Sequence, residues 1–432
     1  MTLFADRIQL LGTENAFKLG DDIARCEKMG LNVIRLNLGE PDFNSPENIN
    51  EVAIAHINRG NSHYTDPQGI PALRESIARR TMETRGVKVQ REQIVVTTGA
   101  KPPISYTMMT YVNPGDEVIY PSPGFPIYES WVTFLGAVPV PLHLEEEKGF
   151  RFDAGDLEKL ISRKTKVLIL NSPSNPTGGV LTRQDLEGIA EVIEKKARPD
   201  IRIYSDEVYE DILFDGHRHQ SILSMPGMSG KTIMVSGHSK RYAMTGWRLG
   251  YAVLPTVEEA VVFRQLNTNI ISCTPPFIQE AGREALDNKA TEKIVQAMVK
   301  EFERRRDVVV DGLNRIQGIR CNKPEGAFYV FPNIAGVCRQ LGILEAFEKL
   351  PASEKDQTSP STLFQMFLLY HQCVATMDRR SFGKIGSEGK HYLRLSTATD
   401  MDSLKAGLRR IEAASKDIEG FKKFFSRRDH LN

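Results

Sequence analysis

Short, continuous apolar runs alternate with helical stretches through the middle of the chain, and each run stops at a cluster of small or polar residues. Gln93-Ile94-Val95-Val96 runs into Thr97-Thr98-Gly99-Ala100, and Glu117-Val118-Ile119-Tyr120 into a turn of Pro, Ser and Gly. Lys166-Val167-Leu168-Ile169-Leu170 ends at Asn171-Ser172-Pro173, Ile201-Arg202-Ile203-Tyr204 at Ser205-Asp206-Glu207, and Thr232-Ile233-Met234-Val235 at Ser236-Gly237-His238-Ser239-Lys240. A strand with one wet face alternates apolar and polar residues, whereas a strand covered on both faces need not. The pattern therefore predicts an α/β fold with a mainly parallel sheet and helices on both of its faces. In such sheets ligands collect beyond the carboxyl ends of the strands, and the chemically unusual clusters of this chain fall at those ends.

At 432 residues the chain exceeds a single ordinary core, and two domains are expected. From about residue 288 the rhythm changes to a long charged amphipathic helix through Glu301-Phe302-Glu303-Arg304-Arg305-Arg306, then strand-like Ala327-Phe328-Tyr329-Val330-Phe331. A polar stretch from Pro351 to Pro360, a further strand His391-Tyr392-Leu393-Arg394-Leu395-Ser396 and a last helix follow. This looks like a smaller α+β domain following the α/β part.

Hydrophobic residues at 41% and charged residues at 26% are the balance of a soluble globular protein, and no apolar run is long enough to span a membrane. A net charge of +1 carries no basic excess for nucleic acid or an anionic membrane. The first residues, Met1-Thr2-Leu3-Phe4-Ala5-Asp6-Arg7, lack the basic-then-apolar order of a secretory signal. Cys26, Cys273, Cys321, Cys338 and Cys373 are scattered without metal-ligand spacing. Reduced thiols of a cytoplasmic protein, and no metal site, are the expectation.

Lys240 carries the sharpest chemical signal. Small residues before it let the backbone approach a ligand closely, and Ala243-Met244-Thr245-Gly246-Trp247-Arg248 follows it. A partly desolvated amine near a fixed cation loses some of its preference for the ammonium form, so it can act as nucleophile or base at neutral pH. The other strand ends complement it: Asp206 offers a carboxylate just past a buried run, and Asn175 sits in Asn171-Ser172-Pro173-Ser174-Asn175-Pro176-Thr177-Gly178. Thr98-Gly99-Ala100-Lys101 opens a helix whose exposed amides suit a phosphate. A lysine for Schiff-base chemistry, an acid for a pyridinium nitrogen, a phosphate cup and an aromatic wall are what pyridoxal phosphate requires. Each cluster alone is common, since helix starts favour small and hydroxyl residues anyway; the signal is their joint occurrence in this order.

Further blocks run along the chain: Asn37-Leu38-Gly39-Glu40-Pro41-Asp42-Phe43, Tyr64 with Gly69-Ile70-Pro71-Ala72-Leu73-Arg74, Ser205-Asp206-Glu207-Val208-Tyr209, and Pro324-Glu325-Gly326-Ala327-Phe328-Tyr329. With the Asn-Pro-Thr-Gly and lysine blocks, they make the chain resemble the fold-type I, class I/II aminotransferases, the aspartate aminotransferase-like family, from about Asp6 to the final helix. The resemblance implies a large cofactor-binding domain over residues 48–290 with a seven-stranded-type, mainly parallel sheet, a smaller domain built from residues 1–47 and 291–432 that closes over the site, and pyridoxal 5'-phosphate as cofactor. It implies transfer of an amino group between an L-amino acid and a 2-oxo acid such as 2-oxoglutarate in ping-pong half-reactions. Lys240 would hold the cofactor as an aldimine and then carry the proton between Cα and the cofactor C4′, while Asp206 keeps the pyridine nitrogen protonated. Tyr209 and Asn175 would bond the phenolic oxygen, and Phe125 would stack on the ring. The amides of Gly99, Ala100 and Lys101, with Ser239, Arg248 and a Tyr64 from a second subunit, would hold the phosphate, which implies a homodimer with shared active sites. Arg394 would take the substrate α-carboxylate on its planar fork, beside Asn175 and the Gly39 amide.

The chain also departs from the family. Position 237 is Gly where many relatives place a phosphate-binding serine, leaving Ser236 or backbone amides to compensate. Thr376-Met377-Asp378-Arg379-Arg380-Ser381 replaces the usual Val-Pro-Gly-Ser before Phe382-Gly383, and Arg379 and Arg380 either read a second substrate carboxylate or sit in a solvated loop. Near the start, Glu14 would repel a dicarboxylate if it faces the site. An aspartate-like donor is the leading expectation. The alternatives are an aminotransferase for aromatic or other neutral amino acids, a β-lyase on the same scaffold, and a non-enzymatic ligand-sensing regulator.

Overall fold

The computed structural model describes residues 3–12 and 15–427. Its main sheet has strands β1 Ile94–Thr97, β2 Glu117–Ser122, β3 Val138–His143, β4 Thr165–Asn171, β5 Arg202–Asp206, β6 Thr232–Gly237 and β7 Gly250–Val253. Their spatial order is β1-β7-β6-β5-β4-β2-β3. β6, β5, β4, β2 and β3 are parallel, and β7 lies antiparallel between β1 and β6.

Both faces of this sheet are dry, which is why the apolar runs are unbroken. Val167 and Ile169 turn to one face with Val118, Tyr204, Ile233 and Val235, under the helices Pro102–Tyr111 and Ile127–Phe134. Leu168 and Leu170 turn to the other with Ile119 and Ile203, against the helix Arg183–Lys196. Each such side chain taken fully out of water contributes about 1.5–3 kcal/mol. The sequence pattern misses β3 and β7. β3 carries Pro139 and Pro141, which lack the N–H of an inner strand and are tolerated because β3 is at the sheet edge.

The strands run on past their apolar runs, so the polar end residues still belong to the sheet. Asn171 pairs with Asp206, and Asp206 with Val235. That register sets the chemistry of β4, β5 and β6 side by side.

A second packing centre forms around the long helix Lys289–Asn314 and the helices Pro360–Gln372 and Met401–Lys416. Leu36, Val309, Phe364, Phe367, Leu395 and Ile411 are among its buried residues. A three-stranded antiparallel sheet sets Leu393–Ser396 between Met377–Asp378 and Tyr329–Val330. Ile34–Arg35 pairs in parallel with Val374–Ala375, which builds the segment leading to Gly39 into the C-terminal half. The strands expected over 327–331 and 391–396 are shorter than their apolar runs, and the polar stretch after Pro351 contains a helical turn, Ala352–Lys355. The single last helix expected is two, Met401–Lys416 and Ile418–Ser426, because Asp417 breaks the first and caps the second by accepting from the Gly420 amide. Among the described residues, no helix is long and apolar enough to cross a membrane.

Candidate active site

The pleat decides what each strand end presents. On β5, Tyr204 and Asp206 share one face, while Ser205 and Glu207 take the other. Asp206 is buried, and its Oδ2 accepts a 2.6 Å hydrogen bond from the Tyr128 hydroxyl on the helix Ile127–Phe134. Burial pushes its carboxyl up to about 6, outweighing the opposing Tyr128 bond and Val208 amide. Glu207, one residue on, accepts from Arg85, His219, Ser205 and Ser221. Although burial alone would raise its pKa, Arg85 and His219 hold it well below the usual carboxylate range. Glu207, Glu210 and His219 converge as a metal-like group, but the Arg85 guanidinium, 2.6 Å from Glu207, already supplies the positive charge there.

A cavity of about 540 Å³ lies over the ends of β4, β5 and β6, within the usual range for small-molecule sites. Lys240, Asp206, Tyr209, Asn175, Ser239 and Arg248 line it. So do Gly39, Ala100, Lys101, Phe125 and Arg394, so segments far apart in sequence meet at one surface.

Lys240 sits in the short helical turn His238–Arg241 that ends β6, and its Nζ donates to the Gly39 carbonyl at 2.6 Å. Only a glycine lets that segment pass, since a Cβ at 39 would lie 1.9 Å from the Tyr329 hydroxyl. The Tyr209 and Tyr329 hydroxyls share a 2.6 Å hydrogen bond. Arg394 Nη1 donates to Asn175 Oδ1 at 3.0 Å and Nη2 to the Asn37 carbonyl, with the rings of Tyr329 and Phe382 at 4.5 and 4.9 Å from the guanidinium. Two aromatic faces and two acceptors fix the plane of that fork.

Arg248 adopts φ +57°, uncommon for a residue with a side chain, and its Nη1 donates to Thr245 O at 2.8 Å. At Gly99, φ is +88°, and a Cβ would fall 2.2 Å from Arg248 Nη2. Gly99 differs from expectation: its amide donates to the Thr97 carbonyl, and it contributes room for the Arg248 guanidinium rather than a free N–H.

Other expected residues lie elsewhere. Tyr64 is 90% exposed and outside the cavity of its own chain. The Ser236 hydroxyl does not compensate for Gly237, because it donates to Glu210 at 3.0 Å on the far face of the sheet. Neither Arg379 nor Arg380 lines the cavity: the first donates to Gly383 O and Ser122 Oγ, the second to Thr358 O. Glu14 lies outside the described residues. Sequence reasoning passed over Tyr128, Met377, Phe382 and the side chain of Lys101, which also line the cavity. Tyr128 alone carried a local signal, a polar-tipped ring close after Phe125 at a helix start.

Asp206 gives a pH prediction for the ligand-free protein. Its folded pKa exceeds the unfolded value, so between about pH 4 and 6 the folded form holds a proton that the unfolded chain has released. The stability this confers, of order 2–3 kcal/mol for a shift from 3.8 to about 6, is full below about pH 4 and lost as pH rises through about 6. Asp206→Asn should remove that falling component from denaturant melts across this window. An identical pH slope in wild type and variant would show that Asp206 is not proton-bound in the fold.

A protein-family model described as aminotransferase class I and II matches residues 32–411. The aspartate aminotransferase of Pyrococcus abyssi is 36% identical over 416 residues, covering 96% of this chain and 98% of that relative. The aromatic-amino-acid aminotransferase 2 of Thermococcus litoralis is also 36% identical, with 96% and 98% covered. The crystal structure of the aspartate aminotransferase from Rhizobium meliloti matches with a TM-score of 0.85 at 34% identity, covering 96% of this chain and 99% of that one. The matched segment runs from just before Gly39 to beyond Arg394 and takes in every element that builds the cavity; the chain belongs to the class I and II aminotransferases and is a transaminase.

Proposed function

We propose that this aminotransferase works with pyridoxal 5'-phosphate and moves amino groups between an L-amino acid, aspartate first, and a 2-oxo acid such as 2-oxoglutarate. The observation that carries the reading is one cavity lined by four cationic side chains, Lys101, Lys240, Arg248 and Arg394, and by two acids, the buried Asp206 and Glu40. The residues fit the cofactor. Asp206 is a desolvated acid, raised to about 6, suited to a protonated ring nitrogen. Arg248 lies in a cradle that a Cβ at Gly99 would fill, and with Ser239 and the backbone amides of Ala100 and Lys101 it would take the phosphate. Phe125 would face the ring, and Asn175 and Tyr209 its phenolic oxygen.

When bound, the cofactor supplies an aldehyde for the amino group and a protonated ring that delocalises the charge left when Cα loses its proton. Lys240 would hold the cofactor and, once released from it, would carry the proton taken from the donor Cα. Arg394 orients the donor by its α-carboxylate, beside the Gly39 segment.

Residues 48–290 form the cofactor-binding domain, and 1–47 with 291–432 the domain that closes over it to exclude water. The pairing of Ile34–Arg35 with Val374–Ala375 supports that grouping. The exposed Tyr64 ring supports a homodimer in which it reaches a second subunit's phosphate site. Free thiols at all five cysteines are in keeping with the cytoplasm.

Lys101 supports an acidic donor. With Lys240, Arg248 and Arg394 assigned, its side chain brings the fourth positive charge to the cavity, with Nζ 5.8 Å from the Phe125 ring. A second reading, aromatic donors, is favoured by Met377, Phe382 and Tyr329 in the lining. A panel of amino donors against 2-oxoglutarate, read by the cofactor spectrum, tests both. Lys101→Met should lower kcat/KM for dicarboxylic donors by about 10–100-fold relative to aromatic ones. An unchanged ratio would remove Lys101 from the side-chain subsite, and a spectrum that no donor alters would overturn the reading altogether.

A further inference from the structure

Arg379 is among the largest fully buried side chains, yet none of its hydrogen bonds runs to a carboxylate. Its Nη1 donates to the carbonyls of Gly383 at 2.9 Å and Phe382 at 3.3 Å, and its Nη2 to Ser122 Oγ at 2.9 Å. Burial pushes its pKa down to about 10 despite Asp378 and Glu129 nearby. A guanidinium held this way is costly to bury, and its bonds bear on one turn.

What it orders is the turn that walls the cavity. Three further bonds cross the same seam: the Gly124 amide to Phe382 O at 3.0 Å, the Lys384 amide to Glu129 Oε1 at 3.2 Å, and Ser122 Oγ to Ile385 O at 3.4 Å. Glu129 is itself fixed by the Tyr120 hydroxyl at 2.7 Å. On one side of the seam stand the end of β2, the turn after it with Phe125, and the helix Ile127–Phe134 with Tyr128. On the other, Ser381 and Phe382 face the cavity, with the Phe382 ring against Arg394. Arg379 donates to both sides.

We propose that Arg379 is a positioning residue that clamps the Ser381–Phe382 wall to the end of β2, so that the face of the substrate cavity beside Arg394 is assembled before an amino acid arrives. The inference rests on the reading of Arg394 as the carboxylate fork. Preorganisation of this kind shows in KM: without the clamp, substrate binding must also order the wall.

Arg379→Met keeps length and loses every donor. It should raise KM for all donors by about tenfold and leave kcat at saturation within about twofold. The cofactor spectrum should match wild type, and amide exchange in the ligand-free protein should quicken at Gly124 and across residues 381–385. Ser122→Ala, which keeps the guanidinium and its carbonyl bonds, should shift KM and exchange the same way by less, and it carries the test if Arg379→Met does not fold. Unchanged KM with unchanged exchange, or a fall in kcat at constant KM, would overturn the clamp. Arg394→Ala keeps the two readings separate. If it loses donor turnover while Arg379→Met does not move KM, only the clamp fails; if it retains full kcat/KM, the carboxylate reading fails.

Discussion

Lys240→Ala should abolish multiple-turnover transamination, lowering kcat by more than about 10⁴-fold, because one side chain does two jobs that no neighbour can take over. On the proposed mechanism its amine would be both the nucleophile that binds the cofactor and the base that carries a proton at Cα. The turn His238–Arg241 aims Nζ at the Gly39 carbonyl, 2.6 Å away, with the Tyr209 and Phe328 rings each 5.9 Å off. The other cations of the cavity are poor substitutes. A guanidinium does not shuttle protons near neutral pH, which sets aside Arg248 and Arg394, and Lys101 is held over Phe125, with its Nζ 5.8 Å from that ring. Lys240→Arg should be as inactive as the alanine variant for the same reason. The measurements are turnover with an amino donor and 2-oxoglutarate, and the visible spectrum of the reconstituted protein. Full turnover in the alanine variant would sink the mechanism.

Arg394→Ala should lower kcat/KM by about 100–1000-fold with every amino-acid donor, whatever its side chain, because every donor carries the same α-carboxylate. The magnitude follows from geometry already in place: the fork is held by Asn175 Oδ1 and Asn37 O and lies between the Tyr329 and Phe382 rings. A carboxylate meets donors that need no reorganisation. Arg394→Lys should recover little, since an ammonium cannot make two parallel bonds or fill the gap between two rings. Equal losses for acidic and aromatic donors are expected, in contrast to Lys101→Met. A loss confined to dicarboxylic donors would place Arg394 at the side-chain end of the cavity instead.

Much of the site was legible locally. Asp206, Asn175 and Lys240 each follow an apolar run that reads as a buried strand, so their place beyond the carboxyl ends of the sheet could be read without knowing the strand order. β3 and β7 were less visible, one broken by prolines and the other only four residues long. Tyr128 was not legible as a partner of Asp206, because the contact joins a helix to a strand through the fold. Gly99 shows the converse. Its place in the phosphate turn was readable, but the space it leaves for Arg248 depends on a backbone more than a hundred residues away.

By itself the sequence determined five of the seven strands of the sheet and, through the resemblance of its motifs, the family; the expected lysine and carboxylate were legible because each follows short-range order, an unbroken apolar run and then a residue with chemistry. Tertiary structure decided which charged groups face the ligand. Asp206 and Glu207 are neighbours in sequence, yet the pleat sends one to the cavity, where burial raises its pKa, and the other to Arg85, which lowers it. Arg394 and Arg379 are both arginines of the C-terminal half, yet one meets the cavity and the other is turned away by Ser122 of β2. A side chain's direction at a strand end or in a turn is set by its partners across the fold, and those partners are not written next to it.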